Sequence, residues 1–180
     1  MQSNLWKSLL IGTALLAGHG AAHAVDSISL GLAAGDKVQM VQVAAQWDWS
    51  SRWFQSNGSH ISGYWDLSLA EWRGTSYQNT PGQTQHLSSV GITPVFRWQQ
   101  DNKKGAYLEG GVGAYLLSSL YNNENKVFST RFQFGDHVGI GYVFNNKLDL
   151  GLRIQHFSNA GIKKPNPGIN LVGVRASYAF

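Results

Sequence analysis

The sequence predicts an all-β protein, an eight-stranded antiparallel transmembrane β-barrel, and three observations carry that expectation. After residue 25, apolar residues recur at every second position in eight separate segments. The opposite face of those segments carries Arg, Glu, Asp and Gln, so grease points out and polarity in, the reverse of a soluble lipocalin. Aromatic residues stand near the ends of the apolar stripes (Trp47, Trp49, Trp98, Phe144, Tyr178), where interfacial girdles belong, and Phe180 ends the last stripe in phase with Tyr178.

The segments follow in order. The first sets Ile28, Leu30 and Leu32 against Ser27, Ser29 and Gly31. The second sets Val41, Val43, Ala45, Trp47 and Trp49 against Gln42, Ala44, Gln46 and Asp48; Val38 and Met40 break its phase, which predicts a bulge. The third shows Ile61, Trp65, Leu67 and Leu69 opposite Ser62, Asp66 and Ser68. The fourth shows Val90, Ile92, Pro94, Phe96 and Trp98 opposite Ser89, Gly91, Thr93 and Arg97. The fifth has Leu108, Val112, Ala114 and Leu116 against Tyr107, Glu109, Gly111 and Tyr115. The sixth has Phe134, Val138, Ile140, Tyr142 and Phe144 against Gln133, His137, Gly139 and Gly141. The seventh runs Leu148, Leu150, Leu152, Ile154 and then His156 and Ser158, opposite Asp149, Gly151, Arg153 and Gln155. The eighth has Val172, Val174, Ala176, Tyr178 and Phe180 against Gly173, Arg175 and Ser177.

Ahead of the strands, Lys7, the apolar stretch Leu9 to Ala17 and the small-x-small Ala22-His23-Ala24 read as a signal peptide over residues 1–24, leaving residues 25–180 as the barrel. No run approaches the roughly 20 apolar residues of a transmembrane helix. A mean hydropathy of −0.21 fits a membrane barrel, whose polar lumen dilutes the lipid-facing residues. Cysteine is absent, which removes disulfides and thiol chemistry. The net charge of +4 is ordinary surface charge or weak attraction to an anionic membrane. Behind a signal peptide, nucleic acid is not an expected partner.

An even strand count puts both termini on the periplasmic side. The connection at Asn145-Asn146 is then a tight periplasmic turn, while those near 74–85, 118–130 and 159–168 face outward. The connection from Ser50 to Ser59 is long for a periplasmic turn. Inner-face Asp66, Arg97, Glu109, Arg153 and Arg175 are expected to pair within a plugged lumen, without a catalytic role.

The seventh strand carries the chemistry. His156 and Ser158 share its greasy face, at the outer end, at the level of the lipopolysaccharide leaflet. A base and a hydroxyl facing lipid suggest an enzyme with a lipid substrate. The two are separated by about 7 Å of strand rise, so their side chains meet only by leaning together. A serine needs a base to take its proton, and the base needs a third group to fix its tautomer. Asn170 shares the outward parity of Val172 and stands next door. Asp136 is the alternative acid, lying opposite His156 if the turn near Asn146 holds three residues. In the loop between, Asn159 and Asn166 offer amides and Gly161 an approachable backbone N–H for an oxyanion, and Lys163 and Lys164 can meet lipid A phosphates as point charges. His137 points inward, and His60 and His86 belong to no cluster, so no metal is expected. The glycine-rich stretches at 110–113 and 139–141 lie inside strands and lack the helix of a phosphate loop.

The run His-Phe-Ser-Asn-Ala-Gly-Ile-Lys-Lys-Pro-Asn-Pro-Gly at 156–168 resembles the signature of the outer-membrane lipid A 3-O-deacylases, the PagL family. Beyond strands seven and eight and their loop, the resemblance rests on length, signal peptide and strand pattern. It implies an eight-stranded barrel with a Ser-His-acid site on its lipid-facing exterior, cleaving the ester-linked 3-hydroxyacyl chain at position 3 of lipid A without metal or cofactor. It implies His156 as base, Ser158 as nucleophile and Asn159, Gly161 and Asn166 around the oxyanion. Where well-described members carry glutamate, two residues after Gly168, this chain has Asn170. Expected partners are lipopolysaccharide and the outer membrane, with a homodimer left open. Two other readings compete. One is a lipid A acyltransferase or outer-membrane phospholipase, and the other a non-enzymatic structural or adhesive barrel.

Overall fold

The computed structural model describes residues 24–180, so the expected signal segment falls almost wholly outside the described residues. Eleven strands form among the described residues: β1 (Ser27–Gly35), β2 (Val38–Asp48), β3 (Trp53–Ser56), β4 (Ser59–Gly74), β5 (Gln85–Gln100), β6 (Gly105–Leu117), β7 (Asn122–Asn123), β8 (Lys126–Val127), β9 (Phe132–Val143), β10 (Leu148–Ser158) and β11 (Ile169–Ala179). Eight of them, β1, β2, β4, β5, β6, β9, β10 and β11, are the staves of a barrel. Each pairs antiparallel with its neighbour in sequence, and β1 closes the ring against β11. This is the predicted eight-stranded antiparallel barrel. Closure pairs both edges of every stave, which is what hydrocarbon requires of a spanning sheet.

The period-two pattern produces the wall. Ile28, Leu69, Val112, Val138, Ile154 and Val172 all stand on the outside, Val138 at 63% exposure, while the alternate positions are buried in the lumen. Small residues let the lumen fill: a methyl on Gly141 would overlap the Tyr107 ring, and one on Gly91 the Tyr115 ring.

The lumen is filled in two tiers. Toward the termini it is ionic. Glu109 receives Arg97 at 2.7 Å and Arg153 at 2.7 Å, and Asp149 receives Arg97 at 3.0 Å and Arg175 at 2.9 Å. Tyr64 donates to Glu109 and Tyr107 to Asp149. Asp66, expected among these pairs, instead accepts from the Gln46 amide at 2.9 Å. Asp149, one strand face away from the apolar stripe of β10, is the second acid of the network. Toward the outer end the lumen turns apolar, with Val38, Met40, Trp72, Leu87, Tyr115, Leu117, Phe157 and Leu171 in one buried cluster.

That second tier corrects the expected bulge. Val38 and Met40 pair in unbroken register with both β1 and β4 and point into the barrel like Gln42 and Gln46. Their phase was inward throughout; only the assumption that every lumen residue is polar made it look broken. The loop residues Tyr121 and Phe128 close over this tier, so the outer mouth is corked by apolar side chains.

At the terminal end, the long connection from Ser50 to Ser59 folds back as β3 along the start of β4. Trp53 thereby reaches Trp49 at 6.0 Å and Phe96 at 6.2 Å between ring centroids, and Trp49 reaches Trp65 at 6.0 Å. The extra length builds a girdle, a suitable use at a membrane interface. The turn between β9 and β10 holds three residues, Asn145 to Lys147. The Phe144 N–H donates to the Leu148 carbonyl at 2.7 Å, and Lys147 takes a left-handed φ of 69°. Its length sets the register of the next strand, and so decides what faces His156.

Candidate active site at the outer rim

The three-residue turn pairs His156 with Asp136 on β9, and the loop after β10 pairs it with Asn170 on β11. All three have outward parity, and His156 and Ser158 are half-buried at the top of the lipid-facing wall. Of the two neighbours, Asn170 makes the contact: His156 Nδ1 lies 2.6 Å from its Oδ1. An amide oxygen can only accept, so this bond puts the imidazole proton on Nδ1 and leaves Nε2 as the free base. Asp136 is exposed and, among the described residues, makes no hydrogen bond to His156. Nor does the Ser158 hydroxyl hydrogen-bond to His156. Catalytic hydrogen bonds are often long before substrate arrives, so the separation does not disqualify the pair.

The ring is held from a second side. Gly168, at φ 66°, lies under the imidazole edge, where a methyl would fall 2.5 Å from His156 Cε1 and 2.9 Å from Nε2. Sequence reasoning did not single out Gly168 for the site. Its only signal was a glycine at the loop-to-strand junction.

The loop at 159–168 is organised by one side chain. Asn159 is fully buried, and its Nδ2 lies within 2.8 Å of the Lys163 carbonyl, 3.1 Å of Ser129 Oγ and 3.2 Å of Thr130 Oγ1. Its Oδ1 accepts the Gly161 N–H at 3.0 Å, and its own N–H donates to Asn166 Oδ1 at 3.0 Å. The Asn159 amide and the Gly161 N–H are thus engaged within the loop. The Asn166 NH₂ group and the N–H of Ala160, a residue at φ 51° directly after Asn159, make no hydrogen bond among the described residues. Lys163 and Lys164 are both exposed on the same loop. The other histidines among the described residues sit apart: His60 bonds Asp101 at 2.9 Å, His137 is buried in the lumen, and His86 is exposed on β5.

Residues 39–179 match the family model for lipid A 3-O-deacylase (PagL). The chain belongs to the PagL family. Lipid A deacylase PagL of Bordetella bronchiseptica is 35% identical over 159 residues, 85% of this chain and 83% of that protein. The Pseudomonas aeruginosa protein of the same name is 31% identical over 137 residues, 76% of each. A crystal structure of the outer membrane enzyme PagL aligns with a TM-score of 0.74 and 25% identity, covering 86% of this chain and 99% of that one. With an apolar outer wall and closed sheet, this PagL-family chain is an outer-membrane barrel.

The close packing of His156 on Gly168 gives this PagL-family site a testable dependence. Gly168→Ala forces the ring to shift and strains a left-handed backbone position. Displacing a catalytic base by about 1 Å costs on the order of 10²-fold in turnover. Ester hydrolysis should fall by that order in Gly168→Ala, while the barrel keeps its heat-modifiable migration on gels. Full activity would show that Gly168 does not position the ring.

Proposed function

We propose that this chain removes the ester-linked 3-hydroxyacyl chain at position 3 of lipid A by serine-type hydrolysis in the outer leaflet. The observation that carries the reading is the 2.6 Å bond from His156 Nδ1 to Asn170, which frees Nε2 on the same lipid-facing strand face as Ser158. Family membership supports the substrate.

In the proposed sequence, Ser158 Oγ attacks the ester carbonyl carbon and its proton passes to His156 Nε2. The new oxyanion is met by donors of the 159–166 loop, with the Ala160 N–H and the Asn166 amide free to bond it. Asn159 and Gly161 shape that loop from within. Collapse breaks the bond to the sugar oxygen, which leaves carrying the proton from His156. Water, deprotonated by His156, then attacks the acyl-serine and releases the 3-hydroxy acid. Asn170 holds the ring in one tautomer throughout without adding negative charge. Lys163 and Lys164 sit at headgroup height, where lipid A phosphates lie.

Mass spectrometry of lipid A from a Gram-negative host expressing the chain tests this. The expected result is loss of one ester-linked 3-hydroxyacyl group from position 3. A gain in acyl mass would favour an acyltransferase, release of fatty acid from phospholipid a phospholipase, and unchanged lipids with folded barrel a structural role. Each would contradict the proposal.

A further inference from the structure

A second concavity adjoins the proposed site. A cleft of about 420 Å³ runs between the β7–β8 hairpin and the 159–168 loop, with Asn125 and Val127 on one side and Lys164, Pro165, Asn166 and Pro167 on the other, and it reaches Gly161. Its size falls within the roughly 300–1,000 Å³ of small-ligand pockets. Both walls lie beyond the ends of the barrel staves β6, β9, β10 and β11.

The walls are pre-organised. Ser129 donates to the Lys163 carbonyl at 2.6 Å and the Asn125 N–H to Asn79 Oδ1 at 2.6 Å, so each loop is tied to another. The polar groups lining the cleft are nevertheless unengaged. Among the described residues, the Asn125 side chain, the Asn166 NH₂ group and the Lys164 ammonium have no hydrogen-bond or ion-pair partner. They give a largely apolar cleft polar and cationic points that an acyl chain alone would not use. A sugar phosphate matches them. Its C–H face fits Val127, Pro165 and Pro167, its hydroxyl and acyl-amide oxygens fit the two amides, and its phosphate fits Lys164.

We propose that this cleft is a subsite for the phosphorylated glucosamine of lipid A, an inference that rests on the activity proposed above. It connects to the nucleophile through Asn166, whose Oδ1 takes the N–H of Asn159, the residue after Ser158. Sugar held here presents its acyl ester down toward the wall.

The test compares two substrates of the purified full chain in detergent: lipid A, and a p-nitrophenyl ester of a 3-hydroxy acid, which lacks a sugar. Val127→Glu sets a negative charge against the phosphate. Asn125→Gly removes an amide while tolerating the local φ of 56°. The ratio of kcat/KM for lipid A to that for the ester should fall about tenfold in both variants, through KM for lipid A. For Val127→Glu, the fall should shrink on dephosphorylated lipid A. An unchanged ratio in both variants, with the parent active on lipid A, overturns the cleft alone. A parent inactive on lipid A overturns the activity reading and this one with it.

Discussion

Ser158→Ala should lower lipid A deacylation by about 10⁴–10⁶-fold, and His156→Asn by a similar factor, with no gain when the two are combined. In the proposed mechanism nucleophile and base act as one unit, so losing either removes the same covalent route. Neither change disturbs the barrel. Both side chains are half-buried on the outer wall, outside the ionic and apolar tiers of the lumen. Heat-modifiable migration and thermal unfolding should therefore match the parent. A Ser158→Ala chain that deacylates at parental rate would remove the serine from the mechanism.

The second large effect concerns Asn170. Here an amide oxygen, 2.6 Å from His156 Nδ1, orients the ring but adds no charge to stabilise the imidazolium. A hydrogen bond to a charged group contributes about 1.5–3 kcal/mol, against about 0.5–1.5 for a neutral one. Asn170→Glu should thus raise kcat by about tenfold, since 1.4 kcal/mol is a factor of ten. Asn170→Ala leaves the ring free to turn and should lower kcat by about 10–100-fold. Asp136→Asn should be nearly silent, because Asp136 faces His156 in register but makes no bond to it. The reverse pattern, a silent Asn170→Ala and an impaired Asp136→Asn, would move the third role to Asp136.

The barrel was legible because lipid contact enforces period two on every stave, and a one-residue slip would turn the greasy face inward. The same rule hid the apolar outer tier. Val38 and Met40 are inward residues that resemble outward ones, and pattern alone cannot tell a corked lumen from lipid. β3 was unreadable because four residues carry no period, so its aromatic girdle looked like surplus loop. At the site, parity and a three-residue turn placed Asn170 and Asp136 beside His156. Which of them bonds depends on side-chain reach, which no spacing encodes. The residue type of Asn159 suits an oxyanion donor. Its inward parity continues the alternation of β10 and predicts the burial by which it holds the loop together.

Covalent trapping of the nucleophile tests the central claim most directly. A lipophilic fluorophosphonate applied to outer membranes containing the chain, followed by peptide mass spectrometry, should place the adduct on Ser158 and stop lipid A deacylation. Labelling should vanish in His156→Asn. Deacylation that continues after the reagent has saturated the membrane, or an adduct on another residue that tracks the loss of activity, would contradict a Ser158–His156 mechanism.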